Sequence, residues 1–260
     1  MLAACRTGEL GARAPVIDHV TLRVSDFHAS KAFYETVLAP LGYAEPWSDE
    51  EQRAADWGTL SISQDEKPLT NDAHLAFAAR TREDVDEFHR VALAAGYRDN
   101  GSPGERLSYH DGYYGAFVLD PDGNNVEAVH HSVEPRHQVD HAFVRVSDLD
   151  ASRAFYENVL GPLGSGLWAT DNEPDDEDWV ALGSRGSSLW LVEGTPLTEN
   201  LHIAFSASNR AEVEEFHRIA MEAGYRDNGL PGERKYHKGY YAAFVLDPDG
   251  NNVEAVFHDR

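Results

Sequence analysis

The chain has 260 residues, and 42% of them are hydrophobic, enough for one large core or two of ordinary size. A formal charge of -23, from 45 Asp and Glu against 22 Lys and Arg, repels nucleic acid phosphates and anionic membrane surfaces and argues against both as partners. No apolar run approaches the roughly 18 residues of a membrane span, and the single cysteine, Cys5, leaves no intrachain disulfide, so a cytoplasmic location is expected.

Residues 1–15, MLAACRTGELGARAP, lack the apolar run of a signal peptide and read as an N-terminal extension, with the LAAC at Leu2 to Cys5 a chance match to a lipoprotein box. A first strand is expected over 17–24, with Ile17, His19, Thr21 and Arg23 on one face and Val20, Leu22 and Val24 on the other. An amphipathic helix follows near 30–41, with Ser25 and Asp26 as N-cap candidates and Gly42 at the C-cap. Residues 60–64 (LSISQ) form a further short strand.

A second strand over 74–79 opens on His74, followed by a helix over 82–95 that stops at Gly96. Residues 99–112 (DNGSPGERLSYHDG) read as a loop lying over the site as a lid. Two last strands, 113–120 and 125–131, are joined by the turn Pro121-Asp122-Gly123-Asn124.

The chain then repeats itself. IDHVTLRVSDFHASKAFYETVLAPLG from Ile17 returns as VDHAFVRVSDLDASRAFYENVLGPLG from Val139, with a longer hairpin in the second copy at 183–188 and a second lid sequence, DNGLPGERKYHKG, at 227–239. The organisation expected is a 1–15 extension, a first domain at 16–131, a polar linker at 132–138 and a second domain at 139–260. The acidic run at 171–178 (DNEPDDED) reads as a solvated loop.

Three residues recur where neighbours have drifted: His19/His141, His74/His202 and Glu127/Glu254. Each histidine faces away from the aliphatic side of its strand, and each glutamate stands alone on a strand that flanks a core and needs a partner. Two imidazoles and one carboxylate on the concave face of a sheet hold a divalent ion while leaving positions open to substrate, which is the arrangement of a reactive site. Fe2+, Mn2+, Zn2+ and Ni2+ all accept these ligands. Two groupings satisfy the same residues: His19 with His74 and Glu127 and His141 with His202 and Glu254, or an exchange that puts His141 with His74 and Glu127 and His19 with His202 and Glu254.

The DH of the opening strand, the HxAF of the second and the closing DPDGNNVE resemble the vicinal oxygen chelate superfamily, which includes glyoxalase I, extradiol dioxygenases, fosfomycin-resistance transferases and bleomycin-resistance proteins. The resemblance covers nearly the whole chain after Pro15. It implies an α+β fold of two tandem glyoxalase-like domains, each of two βαβββ modules in a half-open barrel-like sheet. It also implies the metal ligands His19, His74, Glu127, His141, His202 and Glu254.

The chain departs from glyoxalase I in having no acid at 60–64 or 189–192, and from extradiol dioxygenases in carrying Phe117 and Phe244 where those have a tyrosine. The function expected is a metalloenzyme of lyase, isomerase, transferase or dioxygenase chemistry on a small oxygen-rich substrate; the alternative is a resistance protein that sequesters a drug or metabolite without turnover. His110, Tyr113, His237 and Tyr240 are the catalytic candidates, and Arg23, Arg106, Phe117, Arg145, Arg234 and Phe244 the substrate-binding ones. Trp57 and Trp179 are expected to serve packing, and His89 and His217 to be structural or surface residues. A monomer with an internal pseudo-twofold axis or a homodimer fits the duplication.

Overall fold

A computed structural model describes residues 17–107, 109–132, 137–164, 167–171, 178–184 and 187–259. The chain forms two compact α+β units, one of His19–Ala142 and the other of Phe143–Arg260 with the residues up to Asp18. The LAAC match at Leu2 to Cys5, most of the acidic run at 171–178, the hairpin turn at 185–186 and linker residues 133–136 lie outside the described residues.

In the first unit the chain runs β1 (Ile17–Arg23), α1 (Phe27–Leu38), a 3-10 turn (Ala39–Leu41), β2 (Trp47–Asp49), β3 (Ala54–Asp56) and β4 (Leu60–Ser63). It continues with β5 (His74–Ala78), α2 (Arg82–Ala94), β6 (Arg98–Glu105), β7 (Tyr114–Leu119) and β8 (Asn125–His130). Each βαβββ module closes by pairing its first strand in parallel with its last, β1 with β4 and β5 with β8, and the other two strands extend antiparallel from there. The start of β9 (Val139–Val146) also belongs to this unit, where the Ala78 amide donates to the Gln138 carbonyl beside it.

The second unit repeats the plan with α3 (Leu149–Leu160), β10 (Leu167–Asp171), β11 (Trp179–Ser184) and β12 (Ser187–Glu193), then β13 (His202–Ser206), α4 (Arg210–Glu222), β14 (Arg226–Glu233), β15 (Tyr240–Leu246) and β16 (Asn252–His258). Here β13 pairs in parallel with β16, which runs antiparallel to β15, as β15 does to β14.

Local chemistry sets the element ends. Asp26, and not Ser25, caps α1 by accepting from the Ala29 amide, so the helix starts earlier than its apolar pattern suggests and stops where Pro40 and the left-handed Gly42 turn the chain. Thr81 and Asp84 form a reciprocal capping box on α2. Val20, Leu22, Phe33, Tyr34, Phe77 and Phe88 are buried between sheet and helices.

The expectation of a long lid at 99–112 is corrected: Arg98–Glu105 is a strand on β7, and its counterpart Arg226–Glu233 is a strand on β15. Gly101, Pro103 and Gly104 mimic a loop composition, but they lie on an edge strand whose register shifts, where such residues are tolerated. A Cβ on Gly101 would meet Phe117 Cδ2 at 2.8 Å, so glycine lets the strand cross that ring. Among the described residues of this connection, Arg106, Leu107 and residues 109–113 lie outside the strands.

The DPDGNN turn is organised by two buried polar residues, Asp120 and Asn124. Asp120 Oδ1 accepts from the Asp122 and Asn124 amides, and its Oδ2 accepts from Asn124 Nδ2 and from the Tyr34 hydroxyl of α1. Asn124 Oδ1 accepts from the Ala73 amide. That bond fixes β5 one residue before His74, while the turn itself leads directly into Asn125 of β8, two residues before Glu127. Asp247, Asn251, Tyr156 and Leu201 make the same set in the second unit.

Candidate metal centre

Three strands of the first unit bring one polar side chain each to a common point. His74 opens β5, Glu127 stands on β8 opposite Ala76, and His141 lies near the start of β9. His74 Nε2 is 3.0 Å and His141 Nε2 3.4 Å from the same oxygen, Glu127 Oε2. One ligand atom from each residue lies within 4.8 Å of the others. Ligand atoms bonded at about 2.1 Å to one ion sit roughly 3.0–3.4 Å apart, so the donor set has the spacing and the chemistry of a divalent metal site. Of the two groupings the sequence allows, this unit contains the exchanged one, with His141 beside His74 and Glu127.

The supporting bonds divide the carboxylate. Glu127 is fully buried, and its other oxygen, Oε1, accepts a 2.5 Å hydrogen bond from the Tyr113 hydroxyl. Burial alone would raise the Glu127 pKa, but the two histidines outweigh it and hold the carboxyl down at about 2. His141 is also buried, which disfavours its charge, yet Asp140 and Glu127 push its pKa up to about 9. Its Nδ1 lies 2.8 Å from Asp140 Oδ1, leaving Nε2 as the atom turned toward Glu127. The same Asp140 oxygen lies 3.0 Å from His131 Nε2, and despite burial these imidazoles keep Asp140 well below the usual carboxylate range.

The catalytic candidates fall around this set. Burial, then the nearby Glu127 charge, drives the Tyr113 pKa far above that of an ordinary phenol, so its hydroxyl remains a donor. His110 directs Nδ1 at the Asp111 carbonyl and Nε2 at His131 Nδ1, each at 2.9 Å. The adjacent Tyr114 points the other way and donates to Asp86 of α2.

Among the substrate-binding candidates, Phe117 lies edge-on to His74 at 6.0 Å, and the Arg106 guanidinium covers the same ring while donating to the Ser102 carbonyl. Tyr109, 60% exposed, leans on Tyr113, and Leu107 beside it is 63% exposed, giving the connection after β6 an apolar rim. Arg23 stands apart at the far end of β1, 3.6 Å from Asp65.

The second unit repeats these contacts. His202 Nε2 is 2.8 Å from Glu254 Oε2, Tyr240 donates to Glu254 Oε1 at 2.7 Å, and Phe244 lies edge-on to His202 beneath Arg234. His237 turns to Lys238 O and to His258 Nδ1. Arg145 is exposed and folds over Gly194.

His89 and His217 are buried on their helices and reach Asp99 and Asp227 of the edge strands, while Trp57 packs near Tyr34 and Trp179 near Trp190. Sequence reasoning missed Asp140, Asp18, His131 and His258. All four were detectable by the criterion that found the ligands, because each returns at the matching place in the other copy.

A family model described as Glyoxalase/Bleomycin resistance protein/Dioxygenase superfamily matches residues 16–128 and 138–255. An uncharacterized protein, YqjT, of Bacillus subtilis is 34% identical over 122 residues, which cover 43% of this chain and 95% of that protein. A lactoylglutathione lyase of Salmonella typhimurium is 33% identical over 129 residues, 45% of this chain and 89% of that one. In fold, the chain is similar to glyoxalase I from Zea mays, with a TM-score of 0.69 at 19% identity over 94% of this chain and 93% of that one. Among the described residues no helix is long and apolar enough to cross a membrane.

Proposed function

The chain belongs to the glyoxalase/bleomycin resistance protein/dioxygenase superfamily, and on that premise we propose that it is a divalent-metal-dependent enzyme acting on a small substrate that presents two neighbouring oxygens to the ion. The observation that carries this reading is the convergence of His74, Glu127 and His141 on one point inside a single unit. Three protein ligands leave coordination positions for substrate, which separates a reactive centre from a structural one. By the repeat, His202 and Glu254 belong to a second set.

His74, Glu127 and His141 would hold a divalent ion, which would supply Lewis acidity toward the oxygens of a bound substrate. Fe2+, Mn2+, Zn2+ and Ni2+ all suit the donors. The protein's own groups bind and orient. Phe117 and Phe244 lie edge-on beside His74 and His202, and Arg106 and Arg234 lie over those rings. Leu107 and Tyr109 offer an apolar rim. Tyr113 and Tyr240 take a positioning role, each holding one oxygen of its glutamate, in place of the proton transfer expected from the sequence. The single cysteine and the acidic composition support a cytoplasmic setting.

Similarity to a lactoylglutathione lyase supports lyase or isomerase chemistry on a thiol adduct of a 2-oxoaldehyde. The two-histidine, one-carboxylate composition supports a second reading, oxygen insertion into a catechol. Protein purified without chelator is expected to carry two divalent ions per chain, and Glu127→Gln and Glu254→Gln to lose one each. Chelator-sensitive turnover of a methylglyoxal–thiol adduct or of a catechol then selects between the readings. A wild-type chain that binds none of these metals overturns the proposal and leaves ligand sequestration in its place.

A further inference from the structure

Behind each ligand set stands a pair of histidines whose hydrogen bonds fix where their protons are. In the first unit His110 Nδ1 lies 2.9 Å from the Asp111 carbonyl, which can only accept, so that nitrogen carries a proton. His110 Nε2 and His131 Nδ1 face each other at 2.9 Å, and one proton must lie between them. His131 Nε2 lies 3.0 Å from Asp140 Oδ1, an ion-pair contact without hydrogen-bond geometry that is attractive only if that ring is protonated. Three of the four ring nitrogens therefore hold protons, and the pair carries one positive charge.

The second unit builds the same pair independently. His237 Nδ1 faces the Lys238 carbonyl at 2.9 Å, its Nε2 faces His258 Nδ1 at 3.0 Å, and His258 Nε2 lies 3.2 Å from both oxygens of Asp18. The two rings are stacked within 21° of parallel in both units. Asp18 and Asp140 are counterparts in the repeat and precede His19 and His141.

We infer that His131 and His258 are positioning residues: each, sharing one extra proton with its partner His110 or His237, anchors the aspartate that orients the adjoining metal-ligating histidine. Asp140 holds Nδ1–H of His141, which selects the tautomer whose Nε2 lone pair is free for an ion. A lone buried carboxylate next to an imidazole would compete for that same proton. The charge on the histidine pair balances Asp140, so the aspartate orients His141 without adding a second uncompensated negative charge to the buried site. The inference rests on the metal-site reading above, but it extends that reading to residues that touch no ligand position.

The test has two arms that fail separately. In metal-free wild-type protein with 15N-labelled histidine, NMR is expected to show protonated nitrogens at His110 Nδ1 and His131 Nε2, a shared proton between the rings, and the same at His237 and His258. An unprotonated His131 Nε2 and His258 Nε2 would overturn the inference whether or not the protein binds metal.

In the second arm, Co(II) alone is titrated against a competing chelator, with the visible spectrum as readout. His131→Leu is expected to weaken binding at one of the two sites roughly 10- to 100-fold and to alter that site's spectrum. His131→Gln, which keeps an N–H toward Asp140 but carries no charge, is expected to restore part of the lost affinity and of the spectrum. Unchanged Co(II) affinity and spectrum in a folded His131→Leu, or failure of the folded glutamine variant to rescue, would refute the role. If the leucine variant does not fold, the glutamine variant and the NMR arm still decide.

Discussion

Tyr113→Phe isolates one hydrogen bond. The hydroxyl donates at 2.5 Å to Oε1 of a fully buried carboxylate, and the remaining Glu127 contacts, with His74 and His141, involve the other oxygen. Phenylalanine keeps the ring against Tyr109, His110 and His131, so the change creates no sizeable cavity. A hydrogen bond to a charged group contributes about 1.5–3 kcal/mol, and its loss leaves a buried oxygen without its donor. Metal-free Tyr113→Phe should therefore unfold at lower urea, with a loss of about 2 kcal/mol for the affected unit. Because the phenol is held far above its ordinary pKa, the loss should be the same throughout the neutral range. Metal affinity at one site should fall by roughly tenfold as Glu127 loses its orienting partner. A stability change below about 0.5 kcal/mol together with unaltered metal affinity would refute the claim that Tyr113 holds Glu127 in place.

Two further outcomes follow from the same geometry. His141 titrates near 9 when folded against 6.5 unfolded, so its contribution to metal-free stability is complete below 6.5 and vanishes as pH rises through 9. Glu127 titrates near 2 against 4.5, so its contribution is complete above 4.5 and vanishes as pH falls through 2. Chelator-treated protein should thus be most stable between about 4.5 and 6.5 and lose on the order of 3 kcal/mol by pH 9.5; a flat urea-midpoint profile from pH 6 to 9.5 would contradict this. At the turn before β8, Asn124→Ala removes the acceptor of the Ala73 amide and a donor to Asp120, at a cost on the order of 2–4 kcal/mol by chemical denaturation. It should also weaken metal binding by displacing His74, and an unchanged metal titration would show that the turn does not position that ligand.

The elements that carry ligands were the legible ones. β1 alternates buried and half-buried residues from His19 onward, while β5 and β8 are apolar apart from their ends and Glu127, and duplication separated His74 and Glu127 from incidental polar residues. The strand β6 was hidden because Gly101, Pro103 and Gly104 carry the composition of a loop, while the edge position and shifted register that tolerate them depend on β7. The grouping of His141 with Glu127 was equally hidden, since periodicity fixes which way a side chain points and not which distant strand lies alongside. His131 escaped notice because it follows β8 at the border of a polar stretch that reads as linker, and its role depends on Asp140, which the sequence shows only as half of a DH pair.

The small residues around Glu127 explain how a carboxylate is accommodated in a sheet at all. Ala76 and Ala128 are fully buried beside it, and Gly115 on β7 has no Cβ, which would otherwise stand 2.8 Å from Glu127 Oε1 and 3.2 Å from the Tyr113 ring. In the second unit the matching residue is Ala242, and there the tyrosine–glutamate bond is 2.7 Å instead of 2.5 Å. The added methyl is accommodated with both contacts of the glutamate kept, the histidine–glutamate distance being 2.8 Å against 3.0 Å in the first unit. The duplication has therefore preserved a partner on each carboxylate oxygen, a histidine on one and a tyrosine on the other, while the residue packed behind Oε1 changed from glycine to alanine.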